Sequence, residues 1–461
     1  MHIRFCAVLA LLASGLVRTW QPQSVDLIVY NATVVTMDGD RVLPRGAVAI
    51  SGRDIVAVEP AEAIASRFTA RETYDAGGQI VLPGLINTHT HAPMVLYRGL
   101  ADDLALMDWL QKYIFPGEAK TVSPEFVRAG TRLAALEMIE SGTTTYADMY
   151  YFEEEIARTT KAAGLRGVLG QTIIQFPVPD AKTPAEELTR TEAFLKEFAD
   201  DDLIVPAVAP HAMYTLDRAT LKATRALADK YKAPVLIHLA ETADELKNSM
   251  TAHKMTPTRY LETIGFWGPR TIAAHGVWLN PADIQILARR KVGVSHNPES
   301  NMKLASGAAR IPALRRAGVA VGLGTDGAAS NNDLDMFEAM RQAAFLHKLT
   351  SNDPRAIPAA TALAMATIEG ARVLGMDGQI GSLEAGKRAD LIVVSMAGAR
   401  QTPMYDPLSH LVYVSRGSDV VTTIVNGKML MRDRQVLTLN EAEIIAEANA
   451  MAARVRAAVA K

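Results

Sequence analysis

Four side chains, far apart along the chain, have the types and placements to hold one divalent metal ion. They are His89 and His91 in Asn87-Thr88-His89-Thr90-His91, His238 in His238-Leu239-Ala240-Glu241, and Asp326 in Gly324-Thr325-Asp326. On an extended strand, residues i and i+2 point to the same side, so both imidazoles of the first motif can reach one ion. A lone His-x-His tripeptide is weak evidence. Here it follows Leu82–Asn87, an apolar run with no structural use for two polar rings. Three imidazole nitrogens and one carboxylate oxygen around an open position suit Zn²⁺, with Fe²⁺ as a substitute. The chain has one cysteine, Cys6, so neither a cysteine-based zinc site nor an intrachain disulfide is available.

An ion held this way lowers the pKa of water bound to it from about 15.7 to about 7, which supplies a nucleophile at neutral pH. The proton then needs a manager. Glu241 lies three residues after His238 and is not needed as a ligand, so it can serve as general acid and base. Alone it would read as a helix-start carboxylate favoured by the helix dipole. Beside His238 and His275 the catalytic reading is the stronger one. His275 can hydrogen-bond the nucleophile or the developing oxyanion, and Asp326 can take a proton from the attacking water. His211 reads as a substrate contact or a packed rim residue. Met94, Tyr97 and Trp109 read as an apolar wall for a planar ring, or as core. His296 sits in a loop that shapes the mouth without binding metal, while His253, His347 and His410 read as structural. A binuclear site would call for a bridging group such as a modified lysine on the fourth strand. That strand ends Ala209-Pro210-His211, so one metal is expected.

These residues need a frame that gathers them. Eight strand-like runs alternate with helix-like stretches: Gln79–Ile86, Thr143–Met149, Leu165–Ile174, Leu203–Ala209, Pro234–Leu239, Thr271–Ala274, Lys291–Ser295 and Val319–Gly324. Helices such as Phe126–Ser141 and Leu216–Lys232 lie between them. The pattern predicts an α/β fold, a (β/α)₈ TIM-like barrel over residues 83–384. Six of the 10 histidines fall at strand C-terminal ends. A barrel brings those ends to one mouth; an open doubly wound sheet would not. Val25–Met37, Val48–Val58, Ala389–Ser395 and Val420–Val425, with a turn at Asn426-Gly427, predict a small β-sandwich built from both chain ends, 21–82 and 385–436. Residues 437–461 read as a C-terminal surface helix. Residues 1–20 read as a secretory leader or an N-terminal extension, and the apolar run Phe5–Val17 is too short to span a membrane. A net charge of −2 on 461 residues gives no support to a nucleic-acid partner or a stable membrane anchor. A small, near-neutral substrate is compatible, and a homo-oligomer is left open.

The motifs Pro83-Gly84-Leu85-Ile86-Asn87-Thr88-His89-Thr90-His91-Ala92-Pro93-Met94, His238-Leu239-Ala240-Glu241-Thr242, Ser295-His296-Asn297-Pro298 and Gly324–Asn332 resemble the amidohydrolase superfamily. The chain is most similar there to the 5-methylthioadenosine/S-adenosylhomocysteine deaminases, from about Val25 to about Gln435. The resemblance implies attack on the amine-bearing carbon C6 of adenine, protonation of the ring nitrogen by Glu241, and loss of ammonia. Zinc-activated water paired with a non-ligand glutamate also serves nucleobase deaminases of another fold. The resemblance further implies substrate contacts at Glu118, for the ribose hydroxyls, and at His211, Glu241 and Asp326. The family often has an arginine near the end of the third strand, where this chain has Gln171. A neutral amide cannot pair bidentately with a carboxylate, so methylthioadenosine or adenosine suits the site better than adenosylhomocysteine. The resemblance implies a cytoplasmic enzyme; a cleaved leader would imply export. Rival readings are a deaminase or chlorohydrolase of another amino-heterocycle (guanine, 8-oxoguanine, a triazine) and a non-catalytic barrel that only binds.

Overall fold

A computed structural model describes residues 22–39 and 41–459. The leader and Cys6 lie outside the described residues. Eight parallel strands run in chain order as neighbours: β1 (Leu85–Thr90), β2 (Thr143–Tyr150), β3 (Arg166–Ile173), β4 (Ile204–Pro210), β5 (Val235–Leu239), β6 (Thr271–His275), β7 (Gly293–His296) and β8 (Val321–Leu323). The ring closes where Asp326 N donates to His89 O at 3.0 Å and Thr88 Oγ1 donates to Leu323 O at 2.8 Å. Ile86, Ala147, Val168, Ala207, Leu236 and Ile272 fill the barrel interior from successive strands. Helices with local start and stop signals return the chain each time. Pro124–Ser141 begins at Ser123, whose side chain accepts from Phe126 N, and ends at Gly142 in the left-handed region. Arg218–Tyr231 begins at Asp217, which accepts from Thr220 N.

The chain ends form a separate nine-stranded sheet. Ile80–Pro83 joins its two halves, pairing parallel with Gln23–Val35 and antiparallel with Leu391–Val394. The expected single strand Gln79–Ile86 is therefore two strands in two sheets. The break is at Gly84, where a Cβ would lie 2.1 Å from the Thr144 side chain. Gly84→Ala should destabilise the fold by about 1–3 kcal/mol through overpacking and so lower the denaturation midpoint; an unchanged midpoint would contradict this crossing. The expected strand Val48–Val58 is likewise a hairpin, Val42–Ser51 and Asp54–Pro60, turning at Gly52-Arg53. A buried ion pair, Arg166 Nε to Asp390 Oδ2 at 2.9 Å, ties β3 to this sheet.

The C-terminal helix Glu441–Val459 buries Ile444, Ala448, Met451 and Val455, a stripe at alternating four- and three-residue spacing. It packs on Pro124–Ser141 and on Phe115–Thr121. Among the described residues no helix is long and apolar enough to cross a membrane.

Candidate active site

The strand ends converge as the sequence predicts. His91 Nδ1 lies 2.7 Å from Met149 O, and His238 Nδ1 lies 2.8 Å from His211 O. Each Nδ1 carries the proton for its carbonyl, which leaves both Nε2 lone pairs facing inward. Those two Nε2 atoms are 3.3 Å apart. Asp326 Oδ1 lies 3.6 Å from His89 Nε2 and 3.4 Å from His91 Nε2. His89 Nε2 is buried without a hydrogen-bond partner. Burial pushes the His89 pKa down to about 4 and holds His91 and His238 below the usual imidazole value, so all three are neutral at pH 7. Neutral nitrogens and a carboxylate oxygen turned on one point, one of them orphaned, suit a cation. Two overlapping triads offer ligand atoms to one ion, His89 with His91 and Asp326, and His89 with His238 and His275, and the 3.3 Å between the Nε2 atoms of His91 and His238 joins them.

Backbone conformation aims several of these groups. His275 (φ 72°), Asp326 (φ 64°) and Ala240 (φ 48°) all occupy the left-handed region at strand ends. Non-glycine residues rarely adopt it and do so at some cost, which concentrates at functional sites. The kink turns His275 into the mouth, where Nε2 lies 3.7 Å from Glu241 Oε2 and 3.9 Å from Asp326 Oδ2. Its Nδ1 is 2.9 Å from Asn301 Oδ1.

The helix-start reading of Glu241 does not hold. Thr242 caps helix Ala243–His253 by accepting from Glu245 N. Glu245 reaches back and accepts from Ala240 N and Glu241 N, each at 2.9 Å. That Thr-x-x-Glu pairing fulfils the capping role and leaves the Glu241 carboxyl free for the mouth. Burial raises the Glu241 pKa, the His275 charge opposes the rise, and Asp326 adds to it.

A solvent-open cleft, about 600 Å³ with the solvent at its mouth included, lies over this cluster. Met94, Trp109, Glu118, Tyr150 and His211 line it. Glu118 is buried, accepts from Tyr150 Oη at 2.8 Å, and is pushed up to about 7 by burial. His211 is pushed down to about 3, by burial first and then by the neighbouring imidazoles.

The structure settles one open reading and corrects one expectation. Tyr97 is core: its hydroxyl is 2.6 Å from Thr121 Oγ1 and its ring packs on Phe126. Gln171 is not a substrate contact. It shares a strand face with Leu169 and Ile173, which pack outward, and its amide donates to Asp180 Oδ2 at 2.8 Å. The cavity wall at that strand is Thr172. His296 pairs with buried His347 at 2.9 Å, His253 stacks on Tyr260, and His410 lies 3.2 Å from Gln401 O.

Sequence reasoning missed Tyr150, Ser300, Asn301 and Glu245. Only Glu245 carried a local signal, the capping pattern beginning at Thr242.

Residues 80–430 match the model of the amidohydrolase family. The chain belongs to that family. It is similar to the 5-methylthioadenosine/S-adenosylhomocysteine deaminase of Syntrophobacter fumaroxidans, 48% identical over 91% of this chain and 96% of that protein. The 5′-deoxyadenosine deaminase of Methanosarcina barkeri is 46% identical over 92% of this chain and 96% of its own. Among solved structures, a zinc-bound adenosine deaminase from Xanthomonas campestris superposes with a TM-score of 0.93. It is 41% identical and covers 95% of this chain and 100% of its own.

Proposed function

We propose that this amidohydrolase hydrolyses the amino group of adenosine-type nucleosides, 5-methylthioadenosine in particular, releasing ammonia and the inosine analogue, with one zinc ion. His89, His91, His238 and Asp326 hold the zinc. Zinc when bound there supplies the Lewis acidity that makes water a nucleophile at neutral pH. The protein's own groups do the rest. Asp326 and His275 accept the proton and hydrogen bond of the attacking water as it adds to C6. Glu241 gives its proton to the adjacent ring nitrogen, the proton taken up by Asp326 passes to the departing amine, and the C6 hydroxyl proton returns to Glu241 as the carbonyl forms. The buried mouth excludes bulk water from these transfers.

Glu118 carries the nucleoside reading. A buried carboxyl on the cavity wall, satisfied on one oxygen by Tyr150, is built to read hydroxyls. A bare base or a triazine offers none. A second recess shares Phe115, Glu118 and Tyr151 with the main cavity. Ala119, Phe176, Pro177, Val178 and Pro179 complete it, with no lysine or arginine. An apolar 5′ group suits this recess, whereas an amino-acid carboxylate would be desolvated there without a partner.

The test is ammonia release by the zinc-loaded enzyme from methylthioadenosine, 5′-deoxyadenosine, adenosine, adenosylhomocysteine, guanine, 8-oxoguanine and melamine, with chloride release from atrazine. The first two should turn over fastest, with kcat/KM at least about tenfold above adenosylhomocysteine, a difference of about 1.4 kcal/mol. Turnover of guanine or a triazine alone would contradict the nucleoside reading.

A further inference from the structure

One short helix, Pro298–Lys303, touches both the active centre and the cover of the cavity. Ser300 Oγ donates to Asp326 Oδ2 at 2.7 Å, and Asn301 Oδ1 receives His275 Nδ1 at 2.9 Å. At the end of the same helix, Lys303 Nζ donates to Asp102 Oδ1 at 2.5 Å and to Asn332 Oδ1. Asp102 belongs to the segment 98–121, which follows β1 and roofs the cavity with Leu106, Trp109, Leu110, Ile114 and Glu118. Met107 and Tyr113, on the same segment, face solvent.

The two ends of this cover differ. At the far end, Lys120 Nζ donates to Ala458 O at 3.1 Å, and Gly117 lies against Val459 of the C-terminal helix. At the near end, residues 98–105 form no helix or strand, and Gly99 (φ 70°) and Asp103 (φ 63°) are left-handed. A five-residue π turn, Leu110–Ile114, interrupts the helical part. Such turns recur at functional sites. This roof lines the cavity above the buried mouth, and loops that close over substrate complete many active sites.

We propose that Lys303 is a positioning residue that latches the cover. By holding Asp102 and Asn332 it fastens segment 98–121 to the helix whose Ser300 and Asn301 orient Asp326 and His275. Closure of the roof and alignment of the proton-handling groups thereby become one event. The plainer reading, a half-buried surface ion pair, predicts only a small loss of stability.

The test compares zinc-loaded K303M, D102N and the exchanged pair D102K/K303D with the parent. Each single variant should raise KM and lower kcat, reducing kcat/KM for methylthioadenosine about tenfold or more. Peptides within 98–121 should exchange backbone hydrogens faster while those of the barrel strands do not change. The exchanged pair should recover most of both properties. Single variants within twofold of the parent, with unchanged exchange in 98–121, would overturn the latch, as would an exchanged pair no better than the singles. The exchange measurement needs no substrate, so it separates failure of the latch from failure of the nucleoside reading.

Discussion

Glu241→Gln should keep its zinc and lose about 10²–10⁴-fold in kcat, the range that a positioned general acid–base supplies. The substitution preserves shape and removes only the transferable proton. Glu241 is not needed in the proposed ligand set, because His89, His91 and Asp326 already offer three ligand atoms within reach of one ion, with His238 Nε2 3.3 Å from that of His91. Nor is it needed to hold the loop. Thr242 and Glu245 cap the following helix, and Glu245 accepts the Glu241 backbone N–H, which the variant retains. Metal analysis should therefore return the parental stoichiometry while ammonia release collapses. Full activity would move the proton step to another group, His275 first, whose Nε2 lies 3.7 Å from Glu241 Oε2. Loss of zinc together with activity would show that Glu241 belongs to the ligand set.

His238→Ala should give the opposite pattern, with metal and turnover lost together. His238 has its Nδ1 fixed by His211 O and its Nε2 set 3.3 Å from that of His91. Removing it leaves three ligand groups around a buried cavity no smaller than before. Loss of one ligand from a four-ligand zinc site should weaken binding well beyond the about 10–100-fold that second-shell changes cost. After dialysis the variant should hold well under one zinc per chain, and excess zinc in the assay should not restore parental kcat. Asp326→Ala should behave alike and lose more, because Asp326 is also bonded to Ser300 and faces His275. Retention of one tightly held zinc in His238→Ala would remove it from the ligand set.

The candidate metal cluster was legible in the sequence because a barrel converts a one-dimensional rule, a histidine or aspartate at or just past a strand end, into a three-dimensional cluster. His89, His91, His238, His275 and Asp326 all obey it. The errors have physical causes. Ile80–Leu85 is apolar throughout, so hydropathy cannot show that Gly84 hands the chain from one sheet to another; the steric reason lies on Thr144 of a different strand. Gln171 and Thr172 are neighbours on β3, and a one-residue change in parity decides which of them meets the cavity. Tyr150, Ser300 and Asn301 act through partners 32, 26 and 26 residues away. No local pattern marks such contacts. Tyr97 takes the core alternative: an aromatic that follows a metal motif has two places to go, and Thr121 and Phe126 hold it in the core.

A single metal ion per chain is indispensable to the proposed hydrolytic deamination. Stepwise return of zinc to chelated, metal-free enzyme, with ammonia release from methylthioadenosine followed at each addition, tests it most directly. The predicted result is no turnover without metal and a linear rise that stops at one zinc per chain. Turnover in the metal-free enzyme, or a rise that continues to two zinc ions per chain, would contradict it.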